Sequence, residues 1–263
     1  MNTQSQPLEL RLYTSSLKIL QKLISLANAS FIGFWLGFLK KEHLHLVDQS
    51  YYDKTKNYYD QDYNKSGFWD WERKVLDQYF CHCKHLLVGG TGGGREVLEL
   101  LKSGYSVDGF ECNPSLAKFA NDLIKSEGFL SEIIWVERDQ CPMNHRKYDG
   151  IIVGWGAYML IQGRTQRILF LKNLKSQIKE KSPILLSFFH RRQDSNALKT
   201  IVAIGNVMRW ILRRESLELG DYLAPNYVHY FTKEEIANEL KEGGFELEMY
   251  STDEYGHAVG IAN

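Results

Sequence analysis

Neither sign of charge is in excess in this 263-residue sequence, where 32 Lys and Arg balance 32 Asp and Glu. No global basic field draws the chain to nucleic acid, so no nucleic-acid partner is expected. Cysteine is scarce, four residues in all. That is too few for the disulfide framework of a secreted domain and favours a reducing cytoplasm. Cys81, Cys83 and His85 lead straight into an apolar run with no second Cys/His pair nearby. They read as strand-entry residues rather than a metal cage, and no metal is expected. Long uncharged runs are also rare. Leu23 to Leu39 holds 17 such residues, at the lower limit for crossing a bilayer. Lys40-Lys41-Glu42 follows where a signal peptide would place small residues, and Ser25, Asn28, Ser30 and two glycines weigh against a span. Membrane attachment is therefore not the expectation.

The length suits one large domain, or one domain with an accessory region, and 44% hydrophobic residues suffice for a real core. The most informative stretch is Lys84 to Val97, KHLLVGGTGGGREV. Leu86, Leu87 and Val88 form the apolar run of a buried parallel strand, and Val97, Leu98 and Leu101 follow at helical spacing. Between them, five glycines in six residues (Gly89, Gly90, Gly92, Gly93, Gly94) are broken only by Thr91. Strand, glycine turn and helix form a nucleotide-binding arrangement, because the turn lets a cofactor approach the backbone and the helix N-terminus offers free N–H groups. Arg95 stands where a dinucleotide fingerprint needs glycine or alanine, and no lysine follows as a P-loop requires.

Upstream, Leu17, Leu20, Ile24, Ala27, Phe31, Phe34 and Phe38 form a helical stripe. It is expected to pack on the core, over a substrate pocket, or on a second copy, the last giving a homodimer through this helix. Residues 42–80 alternate aromatics with charges, and Asp70 is placed to cap a helix Trp71–Phe80 with Glu72 and Asp77 outside. This segment is expected to close over the cofactor, with Tyr59 and Tyr63 as contacts. The expected division is 1–80, a helical arm and aromatic lid, and 81–263, the core, with a helical insertion at about 192–230.

Downstream, strands are expected at Ser106–Glu111, Ile133–Val136, Tyr148–Gly156 and Pro183–His190, and helices after Asn113-Pro114, over Thr165–Lys181 and over Asn196–Arg213. Thr232 and Glu235 form a capping box, and Phe245–Tyr250 and Tyr255–Ile261 end the chain as two strands. Alternation of this kind makes an open α/β sheet with ligands at the C-terminal strand ends. Glu111, at such an end, is placed for the two hydroxyls of a ribose, and Asp139 for an adenine amino group.

From Leu86 onwards the sequence resembles class I S-adenosylmethionine (SAM)-dependent methyltransferases. Gly90-x-Gly92-x-Gly94 matches the family's first motif, Glu111 its ribose acid and Asp139 its adenine-side acid. GGGREVLELL, GFECNP, DGIIVGWGAYMLIQGR and NYVHYFTKEE resemble one bacterial subgroup with an N-terminal helical extension, with peptide-modifying biosynthetic methyltransferases as relatives. The resemblance implies a Rossmann-like fold with a mostly parallel seven-stranded sheet and an antiparallel last strand. It implies SAM as cofactor, with Gly89, Gly90, Thr91, Gly92, Glu111, Cys112, Asn113, Asp139 and Trp155 around it. One position departs: Val88 stands where the family usually has an acid, so the cofactor's ammonium needs another partner, such as a glycine-loop carbonyl.

Methyl transfer is an in-line displacement that asks the protein for alignment, desolvation and, for some nucleophiles, a base. Substrate is expected near Gly154–Tyr158, with His190 and His229 (or Tyr230) as proton acceptors. Tyr158, Tyr230, Arg164 and Arg191 are the candidate substrate contacts, the arginines as a carboxylate clamp. The expected activity is O-methylation of a carboxylate or hydroxyl on a small molecule or modified peptide. N-methylation of a small amine and a non-catalytic cofactor-binding scaffold are the alternatives.

Overall fold

The computed structural model describes residues 7–143 and 146–263. It divides into two compact units, Met1–Lys40 with Gln193–Ala224 and Lys41–Arg192 with Pro225–Asn263. The aromatic segment 42–80 shares a unit with the sheet.

The first unit begins with α1 (Leu8–Phe38). The second begins with α2 (Lys41–Lys54), α3 (Gln61–Asn64) and α4 (Asp70–Val75), followed by β1 (His85–Gly89), α5 (Arg95–Lys102) and β2 (Ser106–Glu111). It continues through α6 (Pro114–Ser126), β3 (Ile133–Trp135), β4 (Gly150–Val153), α7 (Arg164–Lys175) and β5 (Pro183–His190). Helix α8 (Asn196–Ile211) and the short β6 (Asp221–Leu223) belong to the first unit. The strand β7 (Tyr227–Phe231), α9 (Lys233–Gly243), β8 (Phe245–Ser251) and β9 (Gly256–Ala262) complete the second.

In the second unit β3, β2, β1, β4 and β5 pair in that order, all parallel. Strand β9 runs antiparallel on β5, with Ile184 opposite Gly260, and β8 runs antiparallel on β9. These seven strands form a mostly parallel sheet whose last strand is reversed, as the resemblance implies. A further strand, β7, pairs parallel with the end of β5 at Phe189 and His190. Leu86, Leu87 and Val88 are fully buried in the sheet's middle, which explains their unbroken apolar run. Local signals place the helices. Asn113 Oδ1 accepts the N–H groups of Ser115 and Leu116 ahead of Pro114, and Thr232 with Glu235 makes the reciprocal capping box of α9.

Two local expectations change. The helix after Asp70 gives way to a π-helical turn at Leu76–Phe80, and β4 is shorter than Tyr148–Gly156. Glu72, expected outside, is buried, where its Oε2 accepts the Trp69 N–H. A helical wheel places Glu72 by polarity alone; its partner, Arg95, comes from another element.

In the first unit α1 meets α8 through small residues. A Cβ on Gly33 would run into the Ile201 carbonyl, and one on Gly37 into that of Gly205. The Arg209 guanidinium donates to the Leu36 and Glu215 carbonyl oxygens at 3.1 and 2.9 Å. The buried face of α1 is Ala29, Ile32, Gly33, Leu36 and Gly37, not the expected stripe, whose Leu17, Leu20, Ile24, Phe31, Phe34 and Phe38 are all exposed.

Candidate functional site

A cavity of about 180 Å³ opens over the glycine loop, at the C-terminal ends of β1, β2 and β4. Its floor is Gly89, Gly90 and Gly92; Glu111, Cys112 and Asn113 form one side, and Val153, Trp155 and Ala157 another. Residues from α2 and the segment after it, His45, Gln49, Tyr52 and Tyr58, line it too. Gly92 has φ +53 and open space where a Cβ would project, so the backbone there is bare toward the cavity. Glu111 is buried; Oε2 accepts the Gly92 N–H at 2.8 Å and Oε1 the Asn113 N–H at 2.9 Å. Each oxygen keeps a second lone pair for a ligand hydroxyl. Burial, then the Glu111 charge, pushes the Cys112 thiol up to about 12, which keeps it neutral.

A smaller recess continues from the loop between Tyr58, Tyr63, Asn64, Thr91, Gly93, Glu96 and Trp155. Asn64 Nδ2 donates to the Tyr58 and Asp60 carbonyls, bracing this segment, and the Tyr58 carbonyl and Asn64 side chain lie where a Cβ on Gly93 would project. Burial raises the Tyr58 hydroxyl to about 12. Glu96 is 7% exposed, and its Oε1 accepts the Trp155 N–H at 3.2 Å and Arg95 NH2 at 3.0 Å. Arg95 in turn pairs with both oxygens of Glu72 at 2.6 and 2.7 Å and reaches the Gly67 carbonyl. Arg95 does not press into the sheet; it turns back to tie α5 to α4. Two carboxylates share one guanidinium beside the recess, and burial holds the Glu72 carboxyl above its ordinary range.

The roof is held by charge. Asp139, with φ 61, lies 2.8 Å from Lys41 Nζ and 3.6 Å from His45 Nε2. Burial opposes its ionisation, but hydrogen bonds from His45 and Lys41 hold its carboxyl below the usual range. Asp48, fully buried, bonds Arg138 and accepts the Tyr227 N–H at 2.9 Å. Burial raises its carboxyl despite the Arg138 charge. Asn113 Nδ2 donates to Asp53 Oδ1 at 2.9 Å, which ties the end of α2 to the same wall.

The structure thus brings Gly89, Gly90, Gly92, Glu111, Cys112, Asn113, Asp139 and Trp155 around one cavity, and Thr91 and Tyr63 into the adjoining recess. Tyr59 lies elsewhere, its hydroxyl on Asp53 and its ring edge-on to Phe119, and Tyr58 faces the loop instead. None of the candidate catalytic and substrate residues lines either space. His190 Nδ1 is 2.6 Å from the Tyr250 hydroxyl, and His229 is fully buried with its ring edge-on to Phe231. Tyr158, also fully buried, donates to Glu239 at 2.6 Å, and Tyr230 stacks on Phe189. Arg164 pairs with Glu242 and Arg191 with Glu235, so both guanidinium groups neutralise α9 rather than clamp a carboxylate. A position near a strand end did not show that acids on α9 would take these arginines. Glu96 escaped the sequence reading; His45, Gln49 and Tyr52 lie in the 42–80 segment expected to close over the cofactor, but none was singled out as a contact.

The sequence matches no protein-family model and no curated protein. Solved structures do resemble the fold. A SAM-dependent methyltransferase from Methanosarcina mazei is 18% identical, with 74% of this chain covering 98% of that one at a TM-score of 0.58. The SAM-bound amino pentose methyltransferase CalS10 of calicheamicin biosynthesis, from Micromonospora echinaspora, is 11% identical over 83% of this chain and 97% of its own, at 0.53. The [4+2]-cyclase SpnF is 13% identical over 68% of this chain and 57% of its own, at 0.51. This chain has the Rossmann-like fold of class I SAM-dependent methyltransferases. The cyclase shows that the fold alone does not fix the reaction.

Proposed function

We propose that the protein is a SAM-dependent methyltransferase, carried by one observation: Glu111 grips Gly92 at the floor of a cavity over the glycine loop. The site's residues suit the cofactor. The lone pairs of Glu111 are available to ribose hydroxyls, the bare backbone at Gly92 admits close approach, and Leu116, Val136 and Leu160 offer apolar walls to a purine. Glu96 stands in for the acid missing at Val88. Its carboxylate, one of two that share Arg95 beside the loop, suits the α-ammonium of the amino-acid arm, while the Tyr58 and Tyr63 side excludes water. When bound, SAM supplies an electrophilic methyl group on a sulfonium. The chain's share is to align the acceptor beside Trp155 and to keep water out.

The acceptor class we propose is an oxygen of a small molecule or modified peptide, in the first instance a carboxylate, in a biosynthetic pathway. The support is chemical: neither His190 nor His229 lines the cavity, and a carboxylate needs no base because it arrives as an anion. An amine is the second reading, favoured by the amino pentose methyltransferase of like fold. Calorimetry tests the cofactor: S-adenosylhomocysteine should bind and NAD should not. With an acceptor in hand, His190→Ala and His229→Ala should keep kcat within about tenfold. A rate loss of about 10²-fold or more in either would mark a hydroxyl acceptor and a histidine base.

A further inference from the structure

Among the described residues, no group of the protein covers the largest apolar surface of α1. From Leu8 to Asn28 every residue is exposed except the half-buried Thr14. Only Ala29, Ile32, Gly33, Leu36 and Gly37 are buried. The exposed positions nevertheless sort by chemistry. Arg11, Lys18 and Lys22, spaced seven and four apart, fall in one arc of about 40°. Directly opposite lie Leu20, Leu23, Phe31, Phe34 and Phe38, each at least 40% exposed. This apolar face runs from Leu20 to Phe38, about 28 Å of the helix. The lone acid of the helix, Glu9, sits in its first turn.

From these features we infer that α1 lies in the plane of an anionic lipid bilayer, apolar face down, with Arg11, Lys18 and Lys22 among the headgroups. A helix whose charges beyond its first turn are all basic complements anionic lipid, which can take up the apolar face and the basic residues together. Trp35, near the end of α1 and 36% exposed, suits the headgroup level. Crossing the membrane is excluded by α8. Arg209 is packed against the uncharged half of α1, bonded to the Leu36 carbonyl, and Arg214 bonds the Phe38 carbonyl. A span over residues 23–39 would draw the α8 backbone at Ile201 and Gly205, packed on Gly33 and Gly37, and the Arg209 guanidinium toward hydrocarbon. The inference uses the first unit alone and does not depend on the proposed reaction.

Flotation of the full chain on a density gradient tests it, because bound protein rises with vesicles while aggregate sinks. The chain should float with phosphatidylcholine vesicles containing about one quarter phosphatidylglycerol, and less with pure phosphatidylcholine or in high salt. Lys18→Gln with Lys22→Gln should weaken binding to the anionic vesicles about 10–30-fold. Leu20→Glu with Phe31→Glu should cost at least about tenfold on both vesicle types. All four positions are exposed, so circular dichroism should be unchanged. A chain that stays at the bottom with both vesicle types overturns the inference. So does a dimer in analytical ultracentrifugation that Leu20→Glu dissociates and that no vesicle binds, since a second copy would then cover the face.

Discussion

Glu96→Gln is the perturbation that probes the cofactor reading most sharply. The change keeps an oxygen for the Trp155 N–H and the Arg95 guanidinium, now 3.2 and 3.0 Å from Oε1. It removes only the charge. Arg95 stays paired through both oxygens of Glu72, so the fold of the loop should survive. Two charges 4 Å apart interact by about 4 kcal/mol at an effective dielectric of about 20, before desolvation is subtracted. After desolvation, a hydrogen bond to a charged group nets about 1.5–3 kcal/mol. The Kd for S-adenosylhomocysteine should therefore rise about 10–150-fold. 5′-Methylthioadenosine, which lacks the amino-acid arm, should lose less than about threefold, because it has no ammonium to place. Isothermal calorimetry with both ligands on parent and variant makes the comparison. Unchanged affinity for both ligands refutes the role of Glu96. An equal loss for both means that the variant disturbs the loop. If the parent binds neither, the cofactor reading itself fails.

Gly92→Val should abolish S-adenosylhomocysteine binding in calorimetry while costing only about 1–2 kcal/mol in urea unfolding, since the site is open but its φ of +53 is forbidding to a β-branched residue. Glu72→Ala leaves the buried Arg95 with Glu96 as its remaining carboxylate and should cost about 3 kcal/mol in the same unfolding experiment. Asp149 accepts the N–H groups of Lys84 and His85 and pairs with Lys179; although burial opposes its charge, these partners hold its carboxyl down to about 2. A depressed carboxylate stabilises above its unfolded pKa of about 4 and loses that contribution as pH falls toward the folded value. Solvent screening reduces the effect to about 1 kcal/mol, so Asp149→Asn should lie that far below the parent at pH 7, with the gap closing below about pH 4. Arg164→Ala should leave KM unchanged, because Arg164 already serves Glu242 at the surface.

Much of this protein follows from local sequence. The apolar run Leu86–Val88, the glycines, the caps at Asn113 and Thr232 and the acid at Glu111 are each set within a few residues by propensity and hydrogen-bond need. With the alternation of strands and helices they sufficed for an open α/β sheet and for the floor of the cavity, while the reversed last strand came from the family resemblance. What the tertiary structure decided was the partner of each charge. Arg95 turned to Glu72, Arg164 to Glu242, Arg191 to Glu235 and Asp139 to Lys41, each across a gap in sequence that no spacing rule bridges. A buried charge must find its opposite wherever the fold brings one, so its role depends on contacts that form only when distant segments meet. The face of α1 shows the same division: periodicity marked an apolar stripe, but only packing revealed that Ala29, Gly33 and Gly37 are buried while Phe31, Phe34 and Phe38 remain exposed.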